Sequence, residues 1–160
     1  MKQFGWKLDE EELKGNFTFL EYSPEKVRLM LEEGGGDIES IVLKNNIKRI
    51  VIDSITSFTL LFDDDLTKRQ AALSLFNILR KWSCTSLLTV QEYPDIKKER
   101  EASPIEFEAD SIILLYFIRV NKERLRYIEV LKMRGTNHSK DLYQFHITGG
   151  LRIIKKAKKI

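Results

Sequence analysis

At 160 residues, 42% hydrophobic and 32% charged, the chain suits a single α/β domain that buries roughly two thirds of its unfolded surface. Its single cysteine excludes an intrachain disulfide, and no apolar run approaches the roughly twenty residues of a membrane helix. A net charge of +3 is too mild to announce nucleic-acid binding by itself. A lone thiol, Cys84, among apolar residues reads as a buried structural group. With no basic-plus-apolar leader pattern and no membrane span, the expected compartment is the cytoplasm.

Residues 1–14 mix Phe4, Trp6, Leu8 and Leu13 with the acids Asp9 to Glu12, which predicts the end of a helix, a turn and a short helical piece. Asn16 to Tyr22 alternates in the manner of a short strand. Ser23-Pro24-Glu25 then predicts a helix start: serine caps, proline fits the first helical position, and the acid suits the helix dipole. Val27, Met30 and Leu31 follow at helical spacing, and Gly34-Gly35-Gly36 stops that helix. Asp37 is the expected cap of a second helix carrying Ile38, Ile41 and Val42.

Lys48 to Asp53 (KRIVID) predicts a parallel strand covered on both faces, because three branched aliphatics stand in a row. Ser54 to Ser57 reads as a polar turn, and Asp63-Asp64-Asp65 as the capped entry to a helix over 66–82. Ser86 to Gln91 (SLLTVQ) predicts a second buried strand. Glu92 to Phe107 reads as a long loop with Pro94 and Pro104. Ser111 to Ile118 with Leu125 to Met133, and Leu142 to Thr148 with Leu151 to Ile154, predict two antiparallel hairpins. Gly149-Gly150 supplies the second turn, and a basic tail runs from Lys155 to Lys159.

Two constellations carry possible chemistry. Asp53 ends a buried parallel strand, the place where open α/β sheets bind ligands, and such an acid suits a magnesium held with nucleotide phosphates. It equally suits a cap for the following turn. In Lys132-Met133-Arg134-Gly135-Thr136-Asn137-His138 a period of two puts Lys132 and Arg134 on one side. Two cations followed by a glycine and hydrogen-bonding side chains fit a phosphate-rich ligand, and fit as well a basic strand end closed by a glycine turn.

KMRGTNHSKDLYQFHIT resembles the K-x-R-G-S/T-x-H strand, and the strand after it, of KaiC-type ATPases of the RecA superfamily. EADSIILLYF is similar to their next-to-last core strand, IKRIVIDSIT to their Walker B strand, and FGWKLDEEELKGNFTFLEY to the helix end and strand between Walker A and Walker B. The resemblance implies a RecA-like P-loop NTPase core truncated at its N-terminus, a parallel sheet followed by antiparallel strands. It assigns a partial ATPase domain to residues 1–154 and a basic tail to 155–160. It further implies ATP and magnesium as cofactors. Asp53 becomes the Walker B acid and metal partner, and Gln91 a sensor-like position near the γ-phosphate. Lys132 and Arg134 reach a nucleotide held by a neighbouring subunit of a ring, with Met133, Thr136 and His138 lining that interface.

The family's G-x-x-x-x-G-K-[ST] loop is absent: the glycines at 5, 15, 34–36, 135, 149 and 150 never stand in that pattern. The paired glutamates that act as its general base would also lie ahead of Met1, which falls inside a helix of the family pattern. The expectation is therefore an incomplete module that does not hydrolyse ATP alone. A non-enzymatic protein that joins rings of full-length relatives is the alternative. A recombinase-like nucleic-acid module acting through the 92–107 loop and the basic tail is a third, opposed by the loop's excess of acids.

Overall fold

The computed structural model describes residues 2–91 and 103–157. A 3₁₀ turn at Lys2–Phe4 precedes α1 (Leu8–Leu13), α2 (Pro24–Glu32), α3 (Gly36–Lys44), β1 (Arg49–Ile52), α4 (Ile55–Thr59), α5 (Asp65–Lys81) and β2 (Thr85–Leu88). After them come α6 (Pro104–Glu108), β3 (Ser111–Val120), β4 (Glu123–Met133), β5 (Tyr143–Ile147) and β6 (Leu151–Lys156). The expected order of an α/β layer followed by antiparallel strands is observed. The chain divides into two compact units, one of described residues 22–91 and 103–109, the other of 2–21 and 110–157.

The first unit is built on β1 and β2, which pair in parallel from Arg49↔Thr85 to Ile52↔Leu88. Its helices begin and end for local reasons. Ser23 caps α2, accepting from the Lys26 amide at 3.4 Å, with Pro24 in the first turn. The helix closes in a Schellman arrangement: Gly35 N–H donates to Met30 O at 2.9 Å and Gly34 N–H to Leu31 O at 3.2 Å. Gly35 has φ +128, and a Cβ there would stand 2.9 Å from that of Glu39, so only glycine fits. Asp64 caps α5, accepting from the Thr67 hydroxyl and amide, and these bonds hold its carboxyl below the usual range. The core beneath is Met30, Val42, Ile55, Phe58, Leu75, Ile78, Leu79 and Trp82.

Several elements differ from expectation. The strands β1 and β2, expected to be buried and β1 to be covered on both faces, alternate instead, leaving Val51 66% and Leu87 57% exposed. Asn16 to Tyr22 forms no strand: alternation makes a strand only when a ladder is available, and no described residue pairs with it. Ser54 to Ser57 opens the helix α4, because Ile55 and Phe58 lie three apart and both bury in the core. Gly35, not Asp37, takes the cap position of α3, and Asp37 sits in its first turn. The second strand starts and stops earlier than predicted, since its ladder to β1 ends at Leu88. Most of the predicted 92–107 loop lies outside the described residues, and its end forms α6.

The second unit is an antiparallel sheet in the order β3-β4-β5-β6. Ile112 faces Lys132 while Ile113 faces Val130, so Leu131 is an extra residue bulged out of β4. β5 and β6 join through Thr148-Gly149-Gly150, with Gly149 at φ +70. The Trp6 indole N–H donates to Gly149 O at 3.0 Å and ties the N-terminal segment to this turn. β6 takes in Lys155 and Lys156, while Lys158 and Lys159 lie outside the described residues. No helix among the described residues is long and apolar enough to cross a membrane.

Lys156 Nζ lies 2.7 Å from Asp141 Oδ1 beside the β5–β6 hairpin. The hydrogen bond from Lys156, reinforced by its charge, lowers the Asp141 pKa below its ordinary 3.8. A lowered folded-state pKa means that the pair stabilises the fold above the ordinary value. That contribution disappears as pH falls through the lowered one. Carboxyl-carbon NMR is expected to give Asp141 a midpoint below 3.8 and Lys156→Ala to return it there; an identical midpoint in the variant would contradict the pairing.

Candidate functional site

The carboxyl ends of β1 and β2 lie side by side because the two strands run parallel in register. Asp53 follows directly on β1 and is exposed. Its Oδ1 accepts from Thr89 Oγ1 at 2.6 Å, and Thr89 is the first residue beyond β2. The backbone closes around this bond from both sides: Thr89 N–H donates to Ile52 O, and Ile55 N–H donates to Thr89 O, each at 3.0 Å. Two residues on, the Gln91 amide donates to Thr56 Oγ1 at 2.8 Å, fixing Gln91 to the first turn of α4. Asp53 and Gln91, the two candidates from this unit, are thus held at one end of one pair of strands.

Among the described residues Asp53 is the carboxylate of this strand end, and they contain no cluster of three or more His, Cys, Asp or Glu placed to hold a metal. That donor set fits magnesium, which keeps most of its waters and takes phosphate oxygens alongside one or two carboxylates. It does not fit an all-protein metal cage. For a triphosphate the fit is partial, because the 160 residues hold no glycine-rich loop with the lysine that cradles phosphates.

The remaining candidates belong to the other unit. Lys132 and Met133 are the last residues of β4 and are half-buried; Arg134 follows, exposed. Arg134 N–H extends the ladder by donating to Asp110 O at 2.8 Å, and its Nη1 lies 3.2 Å from Asp110 Oδ1. Thr136 and His138 sit in the loop beyond, with His138 Nδ1 3.3 Å from Thr136 O. Lys132, Met133, Arg134, Thr136 and His138 are therefore gathered at one strand end and the loop leaving it. Sequence reasoning did not single out Thr89, Thr56 or Asp110. Thr89 carried a signal, a hydroxyl two residues before Gln91 in SLLTVQ, whereas Asp110 carried none beyond its place before β3.

The family model of the KaiC ATPase matches residues 1–159. The chain belongs to the KaiC ATPase family. It is 30% identical over 157 residues to the circadian clock protein KaiC3 of Synechocystis sp., covering 92% of this chain and 30% of that protein. To the circadian clock oscillator protein KaiC of Synechococcus elongatus it is 27% identical over 154 residues, again 92% of this chain and 30% of the relative. The chain thus spans about a third of the length of these curated relatives. A crystal structure of a KaiC-like protein from the hyperthermophilic archaeon Pyrococcus horikoshii OT3 superposes with a TM-score of 0.77 at 31% identity, over 97% of this chain and 68% of that one. The fold is accordingly that of a RecA-superfamily ATPase domain, with its parallel pair and its antiparallel sheet.

Proposed function

We propose that these residues form the Walker B side of a KaiC-like ATP site and the strand that serves a neighbouring subunit's nucleotide. The partial ATPase domain runs over 1–154 and is followed by a basic tail at 155–160. Asp53 holds magnesium through its water shell, Gln91 senses the γ-phosphate, and Lys132 and Arg134 act in trans, with Met133, Thr136 and His138 at the same interface. The observation that carries the reading is the Asp53 carboxylate fixed at the adjoining carboxyl ends of two parallel strands, where α/β sheets bind their ligands. When bound, magnesium would offset phosphate charge; Asp53 would orient its water shell and Gln91 would lie alongside. The G-x-x-x-x-G-K-[ST] pattern of a phosphate cradle does not occur in these 160 residues.

Calorimetric titration of the 160-residue chain with ATP and magnesium is expected to show no tight binding, and a phosphate-release assay no turnover. Steady turnover abolished by Asp53→Asn would overturn the view that the cradle lies outside these residues. A second reading, association with KaiC-like subunits as a regulatory partner, is favoured by the apolar residues that the antiparallel sheet exposes. Ile113, Leu115 and Phe117 on β3 and Leu151 and Ile153 on β6 are all about half exposed. Larger exposed apolar patches of this kind mark association surfaces.

A further inference from the structure

We infer that Thr89 is a positioning residue for the metal-facing carboxylate: its hydroxyl fixes the orientation of Asp53 and thereby sets the chain's affinity for a nucleotide-bound divalent cation. The inference rests on the reading of Asp53 as the magnesium acid. An exposed carboxylate at a strand end is solvated by water and needs no protein partner. Asp53 is exposed and nevertheless accepts from Thr89 Oγ1 at 2.6 Å. Removing such a bond leaves no buried group unsatisfied, so its main effect is on direction. The donor is well placed to give direction. Threonine is branched at Cβ and stiff at χ1, so its hydroxyl follows its backbone.

That backbone is pinned to the two residues that bracket Asp53-Ser54, through Ile52 O on one side and Ile55 N–H on the other. The hydroxyl, the carboxylate and both strand ends therefore form one closed unit. With Oδ1 occupied by Thr89, Oδ2 has the greater acceptor capacity left for a magnesium-bound water. Groups that orient a metal's carboxylate in this way typically change metal affinity by about 10–100-fold when removed.

The test uses the full chain, Mn²⁺ with ATP as the probe, and paramagnetic broadening of the Ser54 and Thr89 amide resonances as the readout, which registers weak binding without turnover. Wild type is expected to show saturable broadening at these amides. Thr89→Val, nearly isosteric, is expected to need about tenfold more Mn²⁺·ATP, and Thr89→Ser to recover most of the affinity. Asp53→Asn is expected to lose the effect. Melting curves confirm that each variant is folded, and Thr89→Ala replaces the valine variant if that one is not. Wild-type affinity in the folded valine or alanine variant, with Asp53→Asn still defective, overturns the role of Thr89 and leaves the reading of Asp53 standing. Failure of serine to recover what valine loses overturns it equally, because the hydroxyl is then not the agent. Broadening that is absent from wild type, or that survives Asp53→Asn, overturns the reading of Asp53 and this inference with it.

Discussion

Ile55→Ala is expected to lower the unfolding free energy by about 3 kcal/mol, within the range for emptying a buried aliphatic site. Ile55 is 0% exposed and packs in the cluster with Met30, Phe58, Leu79 and Trp82. Alanine removes three carbons there, and the cost depends on how far the surrounding cluster can collapse into the space. The check is urea unfolding, in which the midpoint should fall while the slope stays unchanged. Leu60→Ala is the control: Leu60 is 78% exposed at the end of the same short helix, and its loss should stay within about 0.5 kcal/mol. Equal midpoints for the two variants would refute the assignment of the core. The effect reaches the site through the backbone, because Ile55 N–H holds Thr89 O and the next residue, Thr56, holds the Gln91 amide. A loosened α4 therefore releases both sides of the strand end at once.

What the sequence made legible and what it hid divide along range. Short-range signals were readable: the Ser23-Pro24 start of α2, the glycine stop after it, the aliphatic run of β1, and α5 from its repeat of Leu75, Ile78, Leu79 and Trp82. The family resemblance carried fold and ancestry well beyond what those signals give. Pairing at a distance was not readable. The Asn16 to Tyr22 alternation has the period of a strand, but a ladder needs a partner that period cannot supply. The five-residue α4 is too short for a helical period to declare itself. The bulge at Leu131 arises from the fit of β4 against β3, and neither strand shows it alone. The same holds at the site. Asp53 stood out as an acid ending a strand, but its partner Thr89 lies 36 residues away and is brought to it only by the parallel register. Arg134 was legible as a cation in KMRG, and its ion pair with Asp110, 24 residues back, was not.

That ion pair bears on the largest rate effect expected of this chain. A KaiC-like relative that has its own phosphate-binding loop, but whose KMRG arginine is replaced by alanine, should hydrolyse ATP slowly. Adding this chain is expected to restore part of the loss, because a trans-acting arginine contributes on the order of 10³-fold or more to such reactions. The chain bearing Arg134→Ala is expected to restore nothing. The chain bearing Asp53→Asn is expected to restore as wild type does, since the proposed role places Asp53 in the chain's own half-site and not its neighbour's. In the proposed trans-acting role, Arg134 would have to leave Asp110 to reach a neighbour's phosphate. Their contact at 3.2 Å joins two exposed side chains, so releasing it costs no more than about 1 kcal/mol. Phosphate carries more charge than the exposed Asp110 carboxylate and accepts a guanidinium through two bonds, so it competes with that contact. The measurement is phosphate release against added chain. No restoration by the wild-type chain, in mixtures that light scattering shows to be associated, would refute the trans-acting role of Arg134, whereas equal restoration by Arg134→Ala would assign the rescue to another group of the interface.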